Sequence, residues 1–271
     1  MPDGASGSPF PVLLREDRGA VATLALNRPA ARNGLSLSLL DALHSELEGI
    51  AADSTVRCVV IRAEGPVFCA GHDLKEITAH FGDPDGGHAF FSDSMARCAR
   101  VMQAIPALPQ PVIATVQGLA TAAGCQLVAA CDLVIAAEEA RFCTPGVEIG
   151  LFCSTPAVPL SRAVPRKAAM EMLLTGEPIG AEEARRIGLV NRIVPRDVLD
   201  EAAAELAAGI AGRSAFAVQL GKRTFHRQAG LPLEEAYALA AAAMVENLLA
   251  EDAAEGIGAL LEKRAPEWRH R

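Results

Sequence analysis

The stretch Gly118-Leu-Ala-Thr-Ala-Ala-Gly-Cys-Gln-Leu-Val-Ala-Ala-Cys-Asp132 constrains this chain more than any other. It follows a β-type run, Pro111–Val116, and every residue from Leu119 to Gly124 is small or uncharged. From Gly124 the chain reads as an apolar helix closed by Asp132. A strand that breaks at glycine and re-enters a helix leaves the first helical N–H groups without internal partners. With the positive end of the helix dipole behind them, those groups suit an oxygen that gains negative charge. The same small side chains also suit a closely packed buried helix, and this stretch alone does not separate the two readings.

Composition narrows the field. The chain has 271 residues, 51% of them hydrophobic, and a formal net charge of −8. That is enough chain for one large core, or for a core with a small appended unit. No long basic run supplies phosphate neutralisation, so nucleic acid is not an expected partner. Seven cysteines, at 58, 69, 98, 125, 131, 143 and 153, form no CxxC pair and no zinc-type cluster with histidine. No metal is therefore expected, and reduced thiols fit a cytoplasmic location. The polar start, Met1–Pro9, resembles neither a secretory signal nor a transit peptide. No run approaches the length of a membrane span.

Along the chain, residues 1–10 read as a disordered lead. Val12–Arg15 and Val21–Leu26 read as strands about a turn at Asp17–Gly19. Ser36 or Ser38 can cap a helix reaching Ile50, with Leu39, Leu40, Leu43, Leu47 and Ile50 at helical spacing. Val56–Arg62 is the next strand. Glu64–Glu76 is a loop that turns into a helix at Asp73, a residue of the right type for an N-cap. Phe81–Gly87 is a glycine- and aspartate-rich insert, His88–Ile105 a helix and Leu133–Ala136 a strand. From Pro165 the pattern is helical, interrupted by one strand at Leu189–Val194. Strands alternating with helices predict an α/β architecture with largely parallel pairing. The expected division is a core over 11–200 and a helical unit over 201–271.

Two loop-to-helix junctions now stand out, Phe68-Cys-Ala-Gly-His-Asp-Leu-Lys75 and Gly118–Asp132. Asn27-Arg-Pro-x-x-Arg-Asn33, Leu173–Ile179, Gly188-Leu-Val190 and Glu262-Lys-Arg264 join them in order. Each is weak alone; in this order and spacing they are specific. Over roughly residues 10–265 the chain resembles the enoyl-CoA hydratase/isomerase (crotonase) superfamily. Ala120–Gln126 and Thr144–Thr155 narrow the likeness to one branch of it. The resemblance implies a spiral of ββα repeats, a helical C-terminal trimerisation region, and trimers often paired as hexamers. It implies an acyl-CoA thioester as ligand, with coenzyme A entering as part of the substrate and no separate cofactor. By position, the backbone N–H groups of His72 and Ala123 would form an oxyanion hole. Removing one donor of such a pair typically costs about a hundred- to a thousand-fold in rate.

The resemblance also exposes a gap. The superfamily's hydratases carry two glutamates, and the matching positions here are Gln126 and Gly146. Side chains three apart on a helix share a face, so Gln126 can reach the space beside the Ala123 N–H. Its amide can orient water or a carbonyl but cannot act as a general base, and it also suits a satisfied buried amide. Glu148 is the nearest ionisable substitute, and equally a surface carboxylate. Ser154 lacks a partner base, so it reads as a binding hydroxyl rather than a nucleophile. The resemblance carries CoA contacts onto Arg32, the Ala70 carbonyl, Lys75, Lys222 and Lys263. The family's C-terminal aromatic partners are Leu248 and Leu260 here.

The expected activity is that of an acyl-CoA-binding, enoyl-CoA hydratase-like lyase or isomerase of fatty-acid metabolism. Hydration itself should be weak or replaced by other acyl-CoA chemistry. The alternative is a non-catalytic acyl-CoA binder.

Overall fold

A computed structural model describes residues 11–271; the disordered lead expected over 1–10 lies outside the described residues. β1 (Leu13–Arg18) and β2 (Val21–Leu26) form an antiparallel hairpin closed at Gly19, whose φ of 59° suits glycine. α1 (Leu37–Ala52) follows, with Ser36 Oγ accepting from the Leu39 N–H at 3.2 Å. Its leucines at 39, 40, 43 and 47 and Ile50 are buried, as their spacing predicts.

The chain then repeats one unit: a strand, a second short strand, and a helix. The units are β3 (Cys58–Ala63), β4 (Val67–Cys69) and α2 (Leu74–Ala79); β5 (Val112–Val116), β6 (Leu119–Thr121) and α4 (Ala123–Ala130); and β7 (Leu133–Ala137), β8 (Arg141–Cys143) and α5 (Ser154–Ala163). The long helix α3 (His88–Ala107) lies between the first and second units. α6 (Arg166–Thr175), β9 (Ile179–Gly180), α7 (Ala181–Arg186), β10 (Arg192–Val194) and α8 (Leu199–Ala211) complete the folded body. α9 (Ala215–Gln228), α10 (Leu233–Leu248) and α11 (Glu251–Glu262) end the chain.

First strands join one sheet, ordered β1-β2-β3-β5-β7-β10, and second strands join another, ordered β4-β6-β8-β9. All pairings are parallel except β1–β2 and β8–β9. Because each unit contributes once to each sheet and leaves through a helix, the chain winds as a spiral. The sheets are mixed, and the α/β expectation holds.

Strand alternation separates two cores. Val59 and Ile61 of β3 pack with α1 and α3, whereas Cys58 and Val60 pack with Ile113, Ile135 and α8. α8 meets that face through Leu199, Ala203, Ala207 and Ala211, whose spacing of four keeps a small-residue stripe on one side.

Several details differ from the sequence reading. In the sequence reading β4 and β6 fall in loop-to-helix junctions and β8 is assigned no element, since three residues are too few to display alternation. α5, to which the sequence reading assigns no element, carries Pro156 and Pro159; Pro156 falls in the first turn, where its missing N–H costs nothing. The strand expected from Leu189 begins only at Arg192. The Leu189 and Val190 N–H groups instead close the end of α7 on the Ala184 carbonyl.

Candidate functional site

Parallel pairing of β4 with β6 brings their ends side by side, with Cys69 in register with Ala120. Each strand then turns into a helix, so the two junctions must touch. A Cβ at Gly71 would lie 3.0 Å from Ala122 Cβ, 3.2 Å from Thr121 O and 3.3 Å from Ala123 N. Gly71 also has a φ of +89°, which glycine alone adopts readily. Gly124 makes the reciprocal approach: a Cβ there would lie 2.3 Å from the Cys69 carbonyl oxygen. Ala122, between them, is held at φ 50° and ψ −119° by its N–H bond to the Cys143 carbonyl at 2.9 Å. Backbone strain of this kind costs of order 1–3 kcal/mol and concentrates at functional sites.

The direction of the His72 N–H follows from a bridge. Leu35 and His72 form an isolated parallel β-bridge, in which Leu35 N–H donates to Gly71 O at 2.7 Å and Leu35 O accepts from Asp73 N–H at 3.2 Å. Strand geometry then turns the N–H of His72 itself to the opposite side. Among the described residues, neither the His72 N–H nor the Ala123 N–H donates to another group of the chain. Two uncommitted amides therefore stand at adjoining junctions.

The junction is clamped from outside. Asp73 caps α2 by accepting from Lys75 N–H at 3.0 Å, and pairs with Arg28 Nη2 at 2.8 Å. Burial pushes its carboxyl up, but the Arg28 guanidinium and the Lys75 N–H outweigh that and hold it below the usual range. Asn33 is fully buried, its Nδ2 donating to Glu64 O and Val67 O and its Oδ1 accepting from Arg28 N–H. Arg28, Asn33 and Leu35 thus position the site; the motif signalled the loop but not these partners.

Arg32, Ala70 and Lys75 are brought to this region. Ala70 N–H donates to Arg32 O at 3.0 Å, and Arg32 and Lys75 are exposed. Lys263 is exposed as the left-handed C-cap of α11. Lys222, expected as a CoA contact, points inward instead. Its buried Nζ lies 2.6 Å from Asp132 and donates to Ile105 O and Gln110 O, both at 2.9 Å. All its donors are spent inside the chain, and burial lowers its pKa. Asp132, read as a turn residue, is the anchor that ties α9 to the start of β5, where it also accepts from Val112 N–H.

Gln126 is buried on α4, its Oε1 facing the Cys98 thiol at 3.8 Å. Gly146 is buried too, in a short 3-10 helix (Pro145–Ile149). A Cβ there would lie 2.9 Å from Cys153 Sγ, 3.1 Å from Leu151 O and 3.2 Å from Cys153 N. Glu148 and Ser154 are exposed, and the Ser154 hydroxyl turns to Phe152 O at 3.4 Å. Burial pushes the thiols of Cys125, Cys143 and Cys153 up, which argues against a thiolate nucleophile. The His72 ring has both nitrogens buried without a partner, and burial lowers its pKa. Among the described residues, no three His, Cys, Asp or Glu side chains gather as a metal site. No described helix is long and apolar enough to cross a membrane.

Comparison with known proteins identifies the family that shares this fold. The enoyl-CoA hydratase/isomerase family profile matches residues 16–271. The rat protein named enoyl-CoA hydratase domain-containing protein 3, mitochondrial, is 47% identical over 269 residues, 99% of this chain and 88% of its own. The crystal structure of its human counterpart superposes with a TM-score of 0.90 at 46% identity, covering 95% of this chain and 100% of that one. An enoyl-CoA hydratase structure from Mycobacterium smegmatis gives 0.91 at 49% identity, covering 96% and 99%. The branch suggested by Ala120–Gln126 and Thr144–Thr155 is that of the rat and human proteins. The chain belongs to the enoyl-CoA hydratase/isomerase family and has the crotonase fold.

Proposed function

We propose that the chain binds an acyl-CoA thioester with its carbonyl oxygen between the His72 and Ala123 N–H groups. The observation that carries this reading is the contact of the two junctions at Gly71, with both amides uncommitted. Two preorganised donors lower the energy of a thioester enolate, or of a tetrahedral adduct, relative to the resting carbonyl. Arg32, Ala70, Lys75 and Lys263 are the CoA contacts within this proposal. Lys222 leaves that set, since its ammonium is consumed by Asp132 and two carbonyls.

Proton transfer is the weak part of the machinery. Gln126 cannot exchange a proton near neutral pH, and Gly146 carries no side chain and is packed so that even a Cβ would lie 2.9 Å from Cys153 Sγ. General acid–base groups are worth about 10²–10⁴-fold each, so hydration of a 2-enoyl-CoA is slow or gives way to another acyl-CoA reaction. The test is calorimetry with crotonyl-CoA alongside a steady-state hydration assay. Binding with little turnover supports the reading, and rapid hydration contradicts it. The tight packing of Gly146 favours a second reading, an acyl-CoA binder without turnover; complete absence of product on prolonged incubation would select it.

We further propose that residues 201–271 serve subunit contact, in a homotrimer or a dimer of trimers. Leu249, Leu260 and Leu261 are each more than three-quarters exposed on these helices, a face that water does not favour. Seven free thiols suit a reducing compartment. The rat and mouse relatives are named mitochondrial, so we propose a reducing compartment and not the cytoplasm in particular.

A further inference from the structure

The face of the six-stranded sheet that carries α8 changes character along its length. On β3 it presents Cys58, Val60 and then Arg62; on β5 it presents Ile113, Thr115 and, just past the strand, Gln117. Cys58, Val60 and Ile113 are covered by the small residues of α8. Beyond Leu199, the first residue of α8, the face turns polar. Arg62, Thr115 and Gln117 line a cleft of about 460 Å³ whose other wall includes Arg196 and Asp200. That volume falls in the range of small-molecule sites.

The cleft floor is buried, fixed in orientation and unsatisfied. Thr115 is 2% exposed and Gln117 8%. Gln117 Nε2 donates to Ala63 O and Gly65 O, both at 3.0 Å. A flipped amide would set its oxygen against those two carbonyls, so the placement of Oε1 is determined. Oε1 is buried and accepts no hydrogen bond. Thr115 lines the same cleft. At the mouth, Arg62 lies 2.8 Å from Glu64, and Arg196 donates to Gln117 O at 3.3 Å and lies 3.5 Å from Glu139. Most donors of both guanidinium groups remain free.

We propose that this cleft is a second small-molecule site, separate from the thioester site, for a compact hydroxy-carboxylate. The carboxylate would sit between Arg62 and Arg196, whose planar forks match it. A ligand hydroxyl would exchange hydrogen bonds with the Thr115 hydroxyl, because Gln117 Oε1 is too enclosed to be reached. The carboxyl groups of Glu64 and Asp200 at the rim favour a singly charged ligand over a more highly charged one.

The test is calorimetry on the full chain with glycerate as probe. Propionate, which lacks the hydroxyls, and glycerol, which lacks the charge, serve as controls. The expected result is saturable binding at one site per chain, with each control weaker by about tenfold or more. Arg62→Gln and Arg196→Gln should each weaken glycerate by about tenfold, and the near-isosteric Thr115→Val by several-fold with an unchanged melting temperature. Thr115→Val is preferred to a Gln117 variant because Gln117 holds two loop carbonyls. Saturating acetyl-CoA should not displace the probe. No glycerate binding, equal binding of propionate, indifference to both arginine variants, or displacement by acetyl-CoA would each overturn the proposal.

Discussion

A Cβ added at Gly146 would stand 2.9 Å from the Sγ of Cys153, so the position that lacks a carboxylate is also tightly packed against its neighbours. Two of the three closest atoms, Leu151 O and Cys153 N, are backbone and cannot swing aside. The change from an acid is therefore built into the loop and not confined to one residue.

Overpacking of this kind costs about 1–3 kcal/mol. Gly146→Ala should destabilise the chain by that amount, and Cys153→Ala should relieve part of the cost but not all of it, because the backbone contacts remain. Urea denaturation of the single and double variants reads the coupling. Additive effects would show that the thiol and the added methyl do not meet. Gly146→Glu alone should not raise hydration.

Lys222 and Asp132 form a partly buried ion pair reinforced by two carbonyls, 90 residues apart in sequence. Removing one partner of such a pair strands the other, at about 3–5 kcal/mol. Lys222→Met should lower stability by an amount of that order and release α9 from the sheet. Hydrogen exchange on α9 would show protection falling there first. A surface phosphate contact would instead leave stability intact and weaken CoA-ester binding.

The His72 imidazole is buried with neither nitrogen paired, and burial depresses its pKa below the ordinary 6.5. The unfolded chain therefore takes up this proton first as pH falls. Stability from this group is fully present above pH 6.5 and is lost as pH drops through the lower native value. The slope begins at the ordinary imidazole value, above the ordinary carboxylate values of 3.8 and 4.5. His72→Phe should remove the slope just below pH 6.5 and leave stability at neutral pH equal or higher. Denaturation midpoints across that range check it; an unchanged slope would assign the effect elsewhere.

How much of this was legible beforehand divides along physical lines. Periodicity located α1 and most strands of the large sheet, because those elements bury one regular face. The second sheet stayed hidden, since β4, β6 and β8 each have three residues and show no period. Even so, the motifs placed His72 and Ala123 at junctions that the parallel pairing of β4 and β6 makes adjacent. Lys222 was misread for a different reason. It sits on a helix whose other residues are mostly exposed, and nothing local reveals a partner in Asp132. Gly146 showed a missing acid but not the Cys153 thiol that fills the space, because that contact arises from the fold of one loop.

The central claim, that the His72 and Ala123 amides hold a thioester oxygen, has a direct spectroscopic readout. Butyryl-CoA isotopically labelled at the thioester carbonyl carbon reports polarisation through its NMR shift. The account predicts a downfield shift on binding to the native chain. It predicts loss of that shift in Gly71→Ala, where a methyl would crowd Ala123 N at 3.3 Å and strain a φ of +89°. A bound ligand whose carbonyl resonance stays at its free value, or a Gly71→Ala chain that polarises it fully, would contradict the account.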